Sequence, residues 1–368
     1  MALFTDDHTG LHGQPSRRLR AGWIVLLIAV LCGLLLAIVP SPYVVEQPGP
    51  VFNTLGSAKN ADGKEVPLIT ISDEKTYPTD GSLNMLTVSV VGNPDQRLNW
   101  LTVAGAWFDS TKAVVPLEAV FPPNVTTEQR NTENEAAMVD SQKEAVAAAL
   151  THQGISYSTN VAVMSLTSES PATGILKPDD QIISVNGTPI TDISSLRAAL
   201  KANGAGQPAT IAIVRDGKDA TVEVTPVEQD GAVIAGINVK TDYEFPFPVS
   251  IQLNNVGGPS AGMMFALGII DKLTPESLTG GADIAGTGTI DPAGTVGPIG
   301  GIQQKMFGAK GAGAKWFLAP ASNCNEVTGH IPDGLRVFSV TTLDEAVTAL
   351  DAISSGKGLD ALPTCPVS

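Results

Sequence analysis

The chain has 368 residues, 43% of them hydrophobic and only 5% aromatic, with 37 glycines and 26 prolines. That length and turn content fit two or three globular domains. The formal net charge of −15 argues against nucleic acid as a partner, because a phosphate backbone is held by a basic surface.

The first element is apolar. Gly22 to Val39 (GWIVLLIAVLCGLLLAIV) carries no charge. At 1.5 Å per residue the run is about 27 Å long, close to the hydrocarbon thickness of a bilayer. Arg17, Arg18 and Arg20 precede it. The positive-inside rule then puts residues 1–21 in the cytoplasm, residues 22–40 in the membrane and the rest outside. Two alternatives compete with this single-pass, cell-membrane reading. A cleaved signal peptide has a shorter apolar run and a small-residue exit, whereas this run leaves through Pro40-Ser41-Pro42. A lipoprotein signal would use Cys32, but Leu31 is bulky and the apolar run continues past the cysteine. Outside the membrane, Cys324 and Cys365 are expected to form a disulfide, the alternative being two unrelated thiols.

Residues 43–65 read as an extended lead-in with turns. Val66–Ser72 and Leu83–Val91 are rich in Val, Ile, Leu and Thr and predict strands. Trp100–Phe108 predicts either a short helix or an amphipathic segment. Thr126–His152 predicts a long helix ended by Gly154.

The character changes over residues 154–228. A strand at Val161–Leu166 leads to Ser170-Pro171-Ala172, then to Gly174-Ile175-Leu176-Lys177-Pro178-Asp179-Asp180-Gln181-Ile182-Ile183-Ser184-Val185-Asn186-Gly187. A helix (Ser194–Ala202) and two strands (Ala209–Arg215 and Ala220–Thr225) follow. This pattern resembles a bacterial PDZ domain, with one departure: Asp179 stands where the family usually has glycine. The resemblance implies a β-rich module that adds an extended peptide to a sheet edge and captures its C-terminal carboxylate with backbone amides. The capture loop is expected near Gly154–Tyr157, leading into Val161–Leu166. The alternative is a PDZ fold acting only as a spacer.

Residues 229–353 alternate strands with helices, which indicates a layered α/β or α+β domain. The predicted strands are Ala232–Val239, Val249–Leu253, Ile284–Ile290 and Lys315–Ala319. The predicted helices are Ala261–Leu273, Ile302 to about Gly308, and residues 341–353. Residues 354–368 read as a tail.

This last region carries the chemistry. Gly257-Gly258-Pro259-Ser260-Ala261-Gly262 puts a serine hydroxyl in a turn that opens a helix, beside free backbone N–H groups. The serine needs a base. Of the four histidines, His8 and His12 fall in the tail, and His152 and His330 stand in no recognisable motif, so a Ser–His–Asp triad is poorly supplied. A lysine can serve if burial lowers its pKa. Lys305, Lys310 and Lys315 are all near enough in sequence, and spacing does not choose among them.

The order Gly-Pro-Ser-Ala-Gly, then Thr287-Gly288-Thr289-Ile290, then Pro298-Ile299-Gly300-Gly301 followed by Lys305 resembles the proteolytic domain of Lon proteases. The resemblance selects Lys305 as the base of a Ser260–Lys305 dyad. It implies that Thr287 orients the lysine amine, and that the Ser260 amide and a neighbouring amide form the oxyanion hole. Gly257 stands where that family often has aspartate. Residues 138–150 also resemble a Lon helix, which implies that residues 66–153 belong to the same fold with the PDZ domain inserted. No GxxxxGK[ST] pattern occurs, so no ATPase is expected; no cofactor or metal is expected either.

Taken together, the span, the PDZ domain and the Lon-type domain resemble the bacterial membrane-anchored, PDZ-containing Lon-like proteases of the YlbL type. The expectation is an ATP-independent serine endopeptidase acting on polypeptides that are unfolded or have exposed C-termini. By the same resemblance it would assemble as a homo-oligomer, a hexamer. An inert PDZ adaptor at the membrane and a small-molecule esterase or amidase are the rival readings.

Overall fold

The structure is a computed structural model that describes residues 17–366 apart from 61, 124, 230 and 255. The expected cytoplasmic tail, with His8 and His12, therefore lies outside the described residues as far as residue 16.

Arg17–Ile38 is one helix. Its stretch Ala21–Ile38 is long and apolar enough to cross a membrane, and none of it is buried. Almost no linker separates it from the folded body, since Ser41 is already 1% exposed and Val44 0%.

Two six-stranded sheets follow. In the first, the order is Arg336–Val340, Trp316–Pro320, Asp283–Gly286, Ser82–Val91, Tyr43–Asn53, Ala113–Pro116. The first four strands run parallel and the last two are antiparallel additions. Side chains alternate across a strand, and here both faces are apolar. Leu83, Met85, Ile284, Leu318 and Phe338 join one buried cluster. Leu86, Ala285, Phe317, Ala319 and Val337 join another on the opposite face. Both faces are therefore covered by helices, as parallel strands require. Thr127–His152, Gly262–Leu273 and Leu343–Ser355 cover the first. Ile302–Gly311 covers the second.

The extended lead-in with turns expected over 43–65 contains a regular strand, Tyr43–Asn53, that was not expected. Pro48, Gly49 and Pro50 disguise it, because proline cannot donate to a ladder. The register shifts between Pro48 and Val51, so the prolines fall at a bulge. Val66–Ser72, expected as one strand, is divided into Glu65–Pro67 and Ile69–Ile71, which pair with Ser57–Lys59 and Val249–Ile251.

The long helix Thr127–His152 begins with a capping box, in which Thr126 and Gln129 each bond the other's backbone amide. Its buried residues Met138, Ala145, Val146, Ala148 and Ala149 pack in the same cluster as Met263 and Phe265.

The second sheet is antiparallel, in the order Lys218–Val224, Ala209–Arg215, Gln181–Val185, Ser158–Leu166, Ile237–Glu244, with the two-residue strand Thr188–Pro189 paired off that path to Gln181–Val185 and the helix Ile193–Asn203 against it. This is the PDZ region. Its last strand pairs along its whole length with Ser158–Leu166, from Ile237 opposite Leu166 to Glu244 opposite Ser158, so the sheet extends beyond residue 228. It also moves the open edge. Ser158–Leu166 has strands on both sides, so the loop at Gly154–Tyr157 does not lead into a free edge. On that side the free edge among the described residues belongs to Ile237–Glu244, entered through Ala235 and Gly236, and the opposite edge is Lys218–Val224. Asp179 is explained as well. It takes φ 67°, a left-handed conformation that glycine adopts more readily, and its carboxylate pairs with Lys240 on that edge strand at 2.8 Å.

At the C-terminal end Cys324 and Cys365 are joined by a disulfide. The Thr328 hydroxyl donates to the Pro366 carbonyl at 2.7 Å, and the Ser339 amide to that of Pro363 at 3.0 Å, so the tail is tied to the domain.

Candidate active site

The site lies where a central strand stops short. Asp283–Gly286 pairs with Ser82–Met85 only. The longer strand runs on to Val91, so on that side Leu86–Val91 has no strand partner among the described residues. Thr287 follows the end of the short strand. Crevices beyond the carboxyl ends of parallel strands are where open α/β sheets bind ligands.

Ser260 enters this gap from one face of the sheet, immediately before the helix Gly262–Leu273. Its turn is braced from several sides. The carbonyl of Ser260 accepts from the Gly288 amide at 2.9 Å and from the Thr287 hydroxyl at 2.9 Å. The Gly258 amide donates to the Asn134 carbonyl at 2.8 Å. The buried Ser141 hydroxyl donates to the Pro259 carbonyl at 2.9 Å. Gly257 is needed for this closeness, because a Cβ there would meet that of Asn134 at 2.7 Å. An aspartate would displace the long helix, which accounts for the departure from the Lon-like pattern. Asn134 and Ser141 had no local signal in the sequence; they reach the turn only because the long helix packs there.

Lys305 enters from the other face, on Ile302–Gly311. That helix starts at Gly301, whose φ is 66° and whose Cβ would lie 2.7 Å from Val88, so both backbone and space call for glycine. Lys305 is 2% exposed, among Ile302, Met306 and Ala309. Burial lowers its pKa to about 7, since a charged amine loses hydration there. Its Nζ lies 2.8 Å from Ser260 Oγ and 2.9 Å from Thr287 Oγ1. Thr287 is fully buried.

The three expected residues therefore stand within hydrogen-bond distance of one another. The rival lysines do not, as Lys310 and Lys315 are exposed. His152 pairs with Asp344 and His330 with a backbone carbonyl. Among the described residues the amides of Ser260 and Ala261 have no acceptor, and no group of acidic, histidine and cysteine side chains could hold a metal ion.

A cavity of about 270 Å³ opens at Ser260 and Lys305, lined by Met85–Ser89, Met138, Val256 and Ala261 among others. It adjoins a cleft of about 1650 Å³ that shares Val88, Ser89, Met138, Val256 and Gly257. The unpartnered edge of Leu86–Val91 thus runs from the dyad into the cleft.

Comparison with known proteins finds relatives over the two regions that hold the site and the second sheet. Residues 255–352 match the family model of the Lon protease (S16) C-terminal proteolytic domain, and residues 130–225 match that of the PDZ domain. Lon protease 1 of Sorangium cellulosum is 40% identical over 93 residues, covering 24% of this chain and 11% of that protein. The Lon protease of Rickettsia typhi is 26% identical over 198 residues, covering 50% of this chain and 25% of that protein. The chain thus spans a quarter or less of the length of these relatives. The PDZ domain of the SdrC-like protein of Listeria monocytogenes is 20% identical, over 22% of this chain and 85% of that domain, with a TM-score of 0.20. Residues 255–352 thus resemble the proteolytic domain of Lon-type serine peptidases, and residues 130–225 resemble a PDZ domain.

Proposed function

We propose that this chain is a membrane-anchored, ATP-independent serine endopeptidase. The observation that carries the reading is the 2.8 Å approach of a buried lysine amine to the Ser260 hydroxyl. Neutral Lys305 takes the hydroxyl proton as Ser260 Oγ attacks a peptide carbonyl. The carbonyl oxygen becomes an oxyanion, held by the free amides of Ser260 and Ala261 at the start of a helix. Protonated Lys305 then gives its proton to the leaving amine. A water, deprotonated by the same lysine, releases the acyl group from Ser260. Thr287 holds the amine against the serine throughout. Nucleophile, base and oxyanion donors all come from the chain itself, so no nucleotide or metal enters the scheme.

The substrate is an extended polypeptide. The unpartnered edge of Leu86–Val91 offers it backbone hydrogen bonds beside the nucleophile. The PDZ domain binds a chain end along the free edge of Ile237–Glu244, next to the helix Ile193–Asn203, and so brings substrates to the cleft. The apolar helix Ala21–Ile38, buried nowhere in the protein, holds the enzyme in the bilayer with the folded body outside.

Digestion of a peptide library by the full-length protein in nanodiscs, with Ser260→Ala as the control, tests the reading. Cleavage by the parent and none by the variant is expected. If the parent cleaves nothing, the inert-adaptor reading holds.

A further inference from the structure

We infer that the helix Trp100–Trp107 is a second membrane contact, lying in the bilayer surface with Leu101, Trp107 and Phe108 among the headgroups and upper acyl chains. The inference rests on the anchor reading given above.

The helix cannot be far from the membrane. Pro40, two residues beyond the apolar helix, bridges to Asn99, the N-cap residue of Trp100–Trp107. The Ser41 amide donates to the Leu98 carbonyl at 2.7 Å. Because Ser41 and Val44 are already buried, no flexible tether can lift this surface from the bilayer. Eight residues of helix are about 12 Å long, and the headgroup layer is roughly 5–7 Å deep on each side. A helix that starts at the exit of the span and lies along the surface stays within that layer.

Its composition suits the location. From Asn99 to Phe108 no residue is charged. Val103 and Ala106 are buried. Leu101 (56% exposed) and Phe108 (93%) share the outer face, with Trp107 (59%) beside them. Residues i and i+7 fall on one helix face. Trp107 and Trp100 both pack edge-on against Tyr43, at 6.4 and 5.7 Å between ring centres, so Trp107 is braced rather than free. Aromatic side chains collect at the membrane–water boundary, where an apolar ring and a polar edge are both satisfied. Exposed singly, such residues are ordinary, but three large apolar side chains exposed together on one short helix form a patch of the kind that marks an interaction surface. A second copy of the chain is the competing occupant. Three side chains on a short helix fall well below the roughly 800 Å² per partner of a stable interface.

The test uses tryptophan quenching by brominated lipids in vesicles holding the full-length protein. The four tryptophans are Trp23, Trp100, Trp107 and Trp316. The difference between the parent and Trp23→Phe reports the span. The difference between Trp23→Phe and the Trp23→Phe/Trp107→Phe pair reports Trp107. The expected result is loss of most Trp107 emission with bromines near the headgroup, and less with bromines at the chain ends. Phe108→Trp, placed in the doubly substituted protein at a site too exposed to disturb folding, is expected to behave the same way. If the Trp23 signal is quenched but neither position 107 nor 108 responds, the second contact is overturned while the anchor stands. If Trp23 is not quenched either, both fall. Shielding of Trp107 from aqueous acrylamide that grows with protein density, without lipid quenching, assigns the face to a second copy and also overturns the inference.

Discussion

The Thr287 hydroxyl donates to the carbonyl oxygen of Ser260 at 2.9 Å while its oxygen faces Lys305 Nζ at 2.9 Å. One buried side chain thus holds the backbone of the proposed nucleophile and the amine of the proposed base in register. Positioning of this kind needs an oxygen that can both donate and accept.

Thr287→Ser keeps that oxygen and is expected to retain most activity. Thr287→Val keeps the shape and removes the oxygen. It is expected to lower kcat on the order of 100-fold, the scale of a small misplacement of reacting groups, with little change in KM. Steady-state kinetics on a short peptide, with circular dichroism as the control for folding, decides between them.

The pH profile follows from the lysine. Its folded pKa is about 7, well below the ordinary value, and only the neutral amine can accept the serine proton. Activity is therefore expected to rise with pH through about 7 along a single ionisation and then level off. Lys305→Arg keeps a charge that cannot be released at any working pH and is expected to be inactive throughout. A flat profile from pH 6 to 9 would show that another group is the base.

Asp271 lies on the serine helix, fully buried. Its Oδ2 accepts the Leu278 amide at 2.9 Å, but among the described residues its Oδ1 has no partner. Desolvation raises its pKa to about 6, above its unfolded value near 4. The folded state then binds more protons between pH 4 and 6, so stability falls as pH rises through that window and stays lower above it. A shift of this size corresponds to about 3 kcal/mol. Asp271→Asn is expected to raise Tm at pH 7.5 and to lose that advantage at pH 4. Thermal unfolding at the two pH values checks the sign.

The PDZ unit can be excised, but not at residue 228. Stopping there would leave Ile237–Glu244 stripped of its partner strand. Ser158 and Glu244 are opposite each other in the ladder, so removing residues 158–244 and closing the gap with a short glycine-rich linker leaves the first sheet joined across adjacent ends. Short-peptide hydrolysis is expected to survive and cleavage of unfolded proteins to fall. Unchanged protein cleavage would reduce the PDZ domain to a spacer.

Short-range features were legible in the sequence. The Gly-Pro-Ser turn before an apolar helix and the glycine pair before Lys305 both act within a few residues, so local pattern suffices to find them. Long-range pairings were not. Ala232–Val239 reads as one strand leading to the serine, yet the chain forms the hairpin Val227–Gln229 with Ala232–Ile234 and then crosses to Ser158–Leu166. Nothing local in Ile237–Glu244 says which strand it joins. Tyr43–Asn53 was hidden by its prolines because the bulge that tolerates them depends on the partner strand. Spacing alone could not select Lys305 over Lys310, because the difference is burial under a sheet.

The serine and the lysine come from helices on opposite faces of that sheet, and the threonine from the end of a strand between them. No two adjacent layers contain the complete trio. A nascent or half-unfolded chain therefore has an ordinary alcohol and an ordinary ammonium group, separately hydrated and chemically inert. On the proposed mechanism, proteolytic competence emerges only when the last layer docks, which would spare the chain from digesting itself and its neighbours during synthesis.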